Sequence, residues 1–64
     1  MTALEQEQWS DINWACDVIA GRGDSHDNLS IAYSMLEHIS VNGATRQIQY
    51  TASVTLMRGV AEAA

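Results

Sequence analysis

IQYTASVTL, residues 48–56, is the stretch on which the fold turns. Its apolar residues Ile48, Tyr50, Ala52, Val54 and Leu56 alternate with polar ones without a fault, which is the period of a half-buried strand. Just upstream stands Asn42-Gly43, a pair well suited to a two-residue hairpin turn. Together these features describe an α+β chain with a hairpin around Asn42-Gly43. Register argues against it. A two-residue turn there pairs Val41 with Ala44, Ile39 with Arg46 and Glu37 with Ile48, setting charges opposite the apolar residues meant for one buried face. A helix instead places Ile48, Ala52, Leu56, Val60 and Ala63 on one stripe, with Gly59 admitting a close neighbour. The expectation is a helix over about residues 45–63, with the hairpin as the alternative. On that helix Tyr50, Val54, Met57 and Ala61 make a second apolar strip, and a second strip calls for a partner.

The segment before it reads as a helix over about residues 27–40, ended by Asn42-Gly43. Leu29, Ala32, Leu36 and Ile39 form its apolar stripe, broadened by Ile31, Tyr33 and Met35, while Ser30, Ser34, Glu37 and His38 fall opposite. At the N-terminus, Thr2 and Glu5 have capping-box spacing and open a helix over about residues 3–20. Trp9, Ile12, Cys16 and Ile19 recur along one face of that helix with Ala20 beside them, and this face is expected in the core.

Between these two helices lies GRGDS, residues 21–25, which resembles the adhesion motif that extracellular matrix proteins present to integrins. The compartment argues against that role. Small extracellular modules are normally stapled by disulfides, whereas Cys16 is the only cysteine here. MTALEQEQW has no basic region followed by an apolar run, and no segment has the apolar length of a membrane span, so the expectation is a soluble cytoplasmic protein. The same letters serve better as a joint. Gly21 suits the left-handed position that ends a helix, and Asp24 and Ser25 are good N-cap acceptors for the next one.

These readings describe one all-α domain over residues 1–64: a small three-helix bundle, or a helical hairpin with a third helix. A chain of this length buries only about 60% of the surface that it exposes when unfolded. Self-association is one way to extend such a core, and a homodimer is expected.

Charge narrows the function. Residues 1–27 hold Glu5, Glu7, Asp11, Asp17, Asp24 and Asp27 against Arg22, and so carry the whole net charge of −5. Residues 28–64 balance Glu37 and Glu62 with Arg46 and Arg58, and lysine is absent. Nucleic-acid binders neutralise phosphates with clustered Lys and Arg, so direct nucleic-acid binding is not expected. The strongest case for it is a small dimeric regulatory protein with a helix-turn-helix-like unit, in which Arg46, Gln47 and Gln49 would open the recognition helix. Mimicry of DNA is also thin: the carboxylates from Glu5 to Asp17 fall about one per 6 Å of helix, against one charge per about 1.7 Å of duplex.

Catalysis finds no support, because a nucleophile needs a nearby base and a metal needs ligands at helical or turn spacing. His26 and His38 are too far apart to share a turn; they read as a first-turn residue and a solvated residue, and Cys16 as a small core residue. No catalytic residue, metal or cofactor is expected. What remains is the far face of helix 1, where Leu4, Glu7, Asp11, Trp14 and Val18 gather. An indole and an aliphatic group flanked by carboxylates have the composition of a binding anchor with a charged rim. Glu7, Asp11, Trp14 and Val18 are therefore the candidate partner-binding residues, with Tyr50, Val54 and Met57 as a possible second interface.

In size, acidity and lack of catalytic groups the chain resembles the small phage-encoded proteins that inhibit bacterial defence systems, such as anti-CRISPR proteins. That resemblance implies a stoichiometric inhibitor that sets an acidic face against a basic, nucleic-acid-binding surface of a host complex.

Overall fold

The computed structural model describes residues 2–21 and 28–63, with side chains as far as Ala61. It shows a three-helix bundle: α1 (Ala3–Ile19), α2 (Asn28–Asn42) and α3 (Arg46–Ala63). The alternation from Ile48 to Leu56 lies within α3, so the helical period is the true one and the hairpin alternative is set aside. Asp24, Ser25 and His26, expected at the start of the second helix, lie outside the described residues.

Each described helix end has a local cause. The Glu5 amide donates to Thr2 Oγ1 at 3.2 Å, which satisfies one of the orphan donors of α1. At its other end Gly21 takes φ +81°, the left-handed conformation that glycine adopts without strain, and its amide donates to the Val18 carbonyl. Gly43, after α2, works differently. Its φ is not positive, and a Cβ there would meet the Ile39 carbonyl oxygen at 2.7 Å and Gln49 Cγ at 2.9 Å, so close approach is what requires glycine. Thr45 caps α3 by accepting from the Ile48 amide at 3.1 Å.

Two contacts give the topology. The Ala44 amide, in the turn after α2, donates to Gln8 Oε1 near the start of α1 at 2.8 Å. At the opposite end Gly59 of α3 is flanked by Ile19 of α1 and Tyr33 of α2. The helices therefore run up, down and up, with α2 antiparallel to the other two. Because α2 and α3 stay together from Gly43 to the Tyr33–Gly59 contact, they form an antiparallel hairpin.

The core consists of Ile12, Ala15 and Val18 from α1, Ala32, Leu36 and Ile39 from α2, and Ile48 and Ala52 from α3. Trp9, Ile19, Leu29, Met35 and Leu56 pack around it. Each helix contributes one alanine with no exposed surface, namely Ala15, Ala32 and Ala52. Small side chains let helix backbones approach closely, and that choice sets the rotation of α1. The expected stripe through Trp9 and Cys16 is turned by roughly 70° on a 100°-per-residue wheel. Ala15 and Val18 go inside, while Cys16 and Ala20 are exposed. In α2 the expected stripe holds, although Ile31 is exposed. In α3 Gly59 is buried and Val60, expected inside, is exposed.

Candidate functional site

The acidic face of α1 is built by helical spacing alone. Glu7, Asp11 and Trp14 follow one another at intervals of four and three residues, so their side chains line one flank of the helix. Glu7 is exposed, Asp11 is half-buried and Trp14 retains 38% of its surface, with Leu4 open at the N-terminal end of the row. Val18 closes the row on the inside rather than the outside. It is only 6% exposed and belongs to the core, so the structure removes it from the candidate contact surface. The physical reason is the rotation about Ala15, which carries the row toward the bundle and leaves Trp14 at the boundary between core and solvent.

Trp14 therefore has two environments. The residue as a whole is 38% exposed, so part of it faces solvent on the flank that carries Glu7 and Asp11. A partly exposed tryptophan offers a large contact area, which is the property of an interface anchor. The field around it has one sign, because α1 carries Glu5, Glu7, Asp11 and Asp17 and no basic residue.

The second strip lies on the outer side of α3. Tyr50 is 71% exposed, Met57 67%, Val54 is half-buried and Ala61 is exposed. Arg46 and Arg58, also exposed, border it on either side. Its rim is thus opposite in sign to that of α1.

The other candidate groups do not converge. Cys16 is exposed on α1. His38 sits on the outer face of α2, its Nδ1 3.5 Å from Asn42 Nδ2, in a shallow depression lined also by Ser34, Glu37 and Val41. Among the described residues no three His, Cys, Asp or Glu side chains come together as a metal site. No described helix is long and apolar enough to cross a membrane. Of the residues that would open a recognition helix, Arg46 and Gln47 are exposed, but the Gln49 side chain donates through Nε2 to the Gly43 carbonyl at 2.9 Å. Sequence reasoning missed the Gln8–Ala44 bond, since nothing local relates residues 36 positions apart. Comparison with protein-family models, with curated proteins and with solved structures finds no match to this chain.

Proposed function

We propose that this protein is a small non-catalytic binding module whose acidic α1 face docks on a basic protein surface. The observation that carries this reading is Trp14, left partly exposed at the margin of the core beside Glu7 and Asp11 on a helix with no basic residue. A surface that binds nucleic acid is basic, so an acidic face with an aromatic anchor is suited to covering it. The resemblance to anti-CRISPR proteins points the same way, to a stoichiometric inhibitor of a nucleic-acid-binding host complex in the cytoplasm. In this role the protein needs no cofactor and does not itself contact nucleic acid.

The deciding experiment is a pull-down from bacterial lysate, with mass spectrometry of the captured proteins and a check for co-purified nucleic acid. The expected result is one nucleic-acid-binding protein or complex, captured in fixed ratio, weakened by salt and lost with Trp14→Ala. Capture of nucleic acid alone, or of a partner indifferent to Trp14→Ala, would overturn the reading.

A further inference from the structure

Asn42-Gly43 joins the last turn of α2 to the segment before α3, and the pair carries chemistry of its own. Asparagine followed by glycine is prone to spontaneous deamidation, because a residue without a Cβ leaves its backbone nitrogen unhindered. The nitrogen of residue 43 attacks the side-chain carbon Cγ of residue 42. A C–N bond forms, ammonia leaves with the amide proton, and a five-membered succinimide remains. Water then opens the ring at one of its two carbonyls, leaving an aspartate or an isoaspartate at position 42. Water is the only co-reactant, and Asn42 is exposed to it. The other two asparagines, Asn13 and Asn28, precede Trp14 and Leu29, whose side chains crowd the attacking nitrogen.

The fold holds the two reacting groups apart. Gly43 is buried, and its amide donates to the Ile39 carbonyl at 2.8 Å. The Asn42 carboxamide is turned back along α2, with Nδ2 donating to the His38 carbonyl at 3.3 Å and standing 3.5 Å from His38 Nδ1. Ring closure requires rotation about the Asn42 Cα–C bond away from its helical value, which breaks the Gly43–Ile39 bond. Two side chains from outside α2 resist that rotation. Gln49 Nε2 donates to the Gly43 carbonyl at 2.9 Å, and Gln8 Oε1 accepts from the Ala44 amide at 2.8 Å. The packing and the chemistry have one origin: Ile39, Ile48 and Gln49 approach so closely that position 43 must be glycine, and glycine is what makes Asn42 labile.

We infer that Asn42-Gly43 is a self-modification site sealed by the α2–α3 turn, which deamidates only when that turn opens and then prevents it from closing as before. An isoaspartate routes the main chain through Cβ and so adds one carbon to the backbone beside Gly43. The surroundings have no room for one, since even a Cβ on residue 43 would stand 2.7 Å from the Ile39 carbonyl oxygen and 2.9 Å from Gln49 Cγ. An aspartate keeps the backbone but loses the donor to the His38 carbonyl. It also sets a negative charge at the C-terminal end of α2, where the helix dipole disfavours it. Either product turns a reversible opening into a permanent one, and the isoaspartate does so more severely. The inference does not depend on the docking of α1.

Incubation of the full chain at mildly alkaline pH, in buffer and in urea, tests it, with deamidation at position 42 followed by mass spectrometry of proteolytic peptides. The reaction is expected to run about tenfold or more slower in buffer than in urea, because the ratio reports the fraction of time for which the turn is open. Gln49→Ala and Gln8→Ala each remove one bond that holds the turn. In buffer, where circular dichroism shows each variant folded, each should speed the reaction by about two- to tenfold and leave the rate in urea unchanged. Asn42→Gln should abolish the mass gain in this peptide. The isoaspartyl form, separated by chromatography, is expected to unfold at lower urea than the parent chain, with Asn42→Asp between them. Equal rates in buffer and in urea would overturn the seal, as would folded variants that react no faster than the parent. An isoaspartyl form with the parent's urea midpoint would overturn the claim that the turn cannot close again.

Discussion

Gly59 of α3 lies against the ring of Tyr33 on α2, so closely that a Cβ at position 59 would stand 3.0 Å from Tyr33 Cε1. The same Cβ would stand 3.1 Å from Ile19 Cδ1 of α1, which makes position 59 the point where all three helices meet. Two effects oppose each other in Gly59→Ala. Alanine is favoured over glycine within a helix by about 1 kcal/mol, while the ring edge and the isoleucine methyl must each give way by a few tenths of an ångström. Both neighbours are half-buried, and Ile19 meets the site with Cγ2 at 3.2 Å as well as with Cδ1, so the cost of moving them offsets much of the gain in helix propensity. Gly59→Ala is expected to change stability by less than about 1 kcal/mol. Gly59→Leu has no such escape and should cost about 1–3 kcal/mol by overpacking. Urea denaturation of both variants checks this.

Cys16 and Val18 exchange their expected places, and the exchange is measurable. Cys16→Ser should leave the unfolding midpoint unchanged within error, because the thiol is exposed. Val18→Ala removes buried methyl groups and should cost roughly 1–3 kcal/mol. Rapid labelling of native Cys16 by a thiol reagent gives an independent reading. Slow labelling limited by unfolding would place Cys16 back in the core.

The caps of α1 and α3 should differ in weight. Removing an N-cap hydroxyl costs about 1 kcal/mol on average. The Thr2 bond is exposed to solvent, whereas Thr45 is half-buried and closes the turn that joins α2 to α3. Thr45→Ala should therefore lower the midpoint of thermal unfolding by more than Thr2→Ala, and Thr45→Ser should restore it. Calorimetry on the three variants decides.

Trp14 separates docking from packing. Trp14→Ala is expected to cost on the order of 2 kcal/mol or more of partner binding, with a smaller loss of stability because the ring is only partly buried. Glu7→Lys or Asp11→Lys should slow association and flatten its salt dependence while leaving the dissociation rate nearly unchanged, since rim charges steer more than they hold. Surface plasmon resonance at two salt concentrations, beside thermal unfolding of the same variants, measures both. A strongly destabilised Trp14→Ala with normal affinity per folded molecule would make the indole a core residue only.

Much of the bundle is legible in the local sequence. The ends of α1 follow from Thr2 with its bond to the Glu5 amide and from the left-handed Gly21, because capping and glycine conformation involve neighbours a few residues apart. The stripe of α2 through Ala32, Leu36 and Ile39 follows from period alone. Even the ambiguous run from Ile48 to Leu56 yields to register, since pairing Glu37 with Ile48 would have spoiled the buried face of a hairpin. The Trp14 row is legible as a row, with Glu7, Asp11 and Trp14 sharing a flank by spacing.

Only the tertiary structure decided how far each helix turns toward its neighbours. Period places Ala32 and Ala52 on the buried stripes but gives little weight to Ala15, yet each of the three is buried in every atom, as Leu36 and Ile48 are. Close approach at small residues outweighs the larger apolar surface of the neighbouring stripe, because packing contacts grow with the number of atoms brought together across the interface. That preference drew Val18 inside and released Cys16. It buried Gly59 and left Val60 outside, because a residue without a Cβ is what Tyr33 and Ile19 can both approach. Composition and spacing name the faces of a helix. Which face is buried depends on the shapes of the other helices, and those meet only in the folded chain.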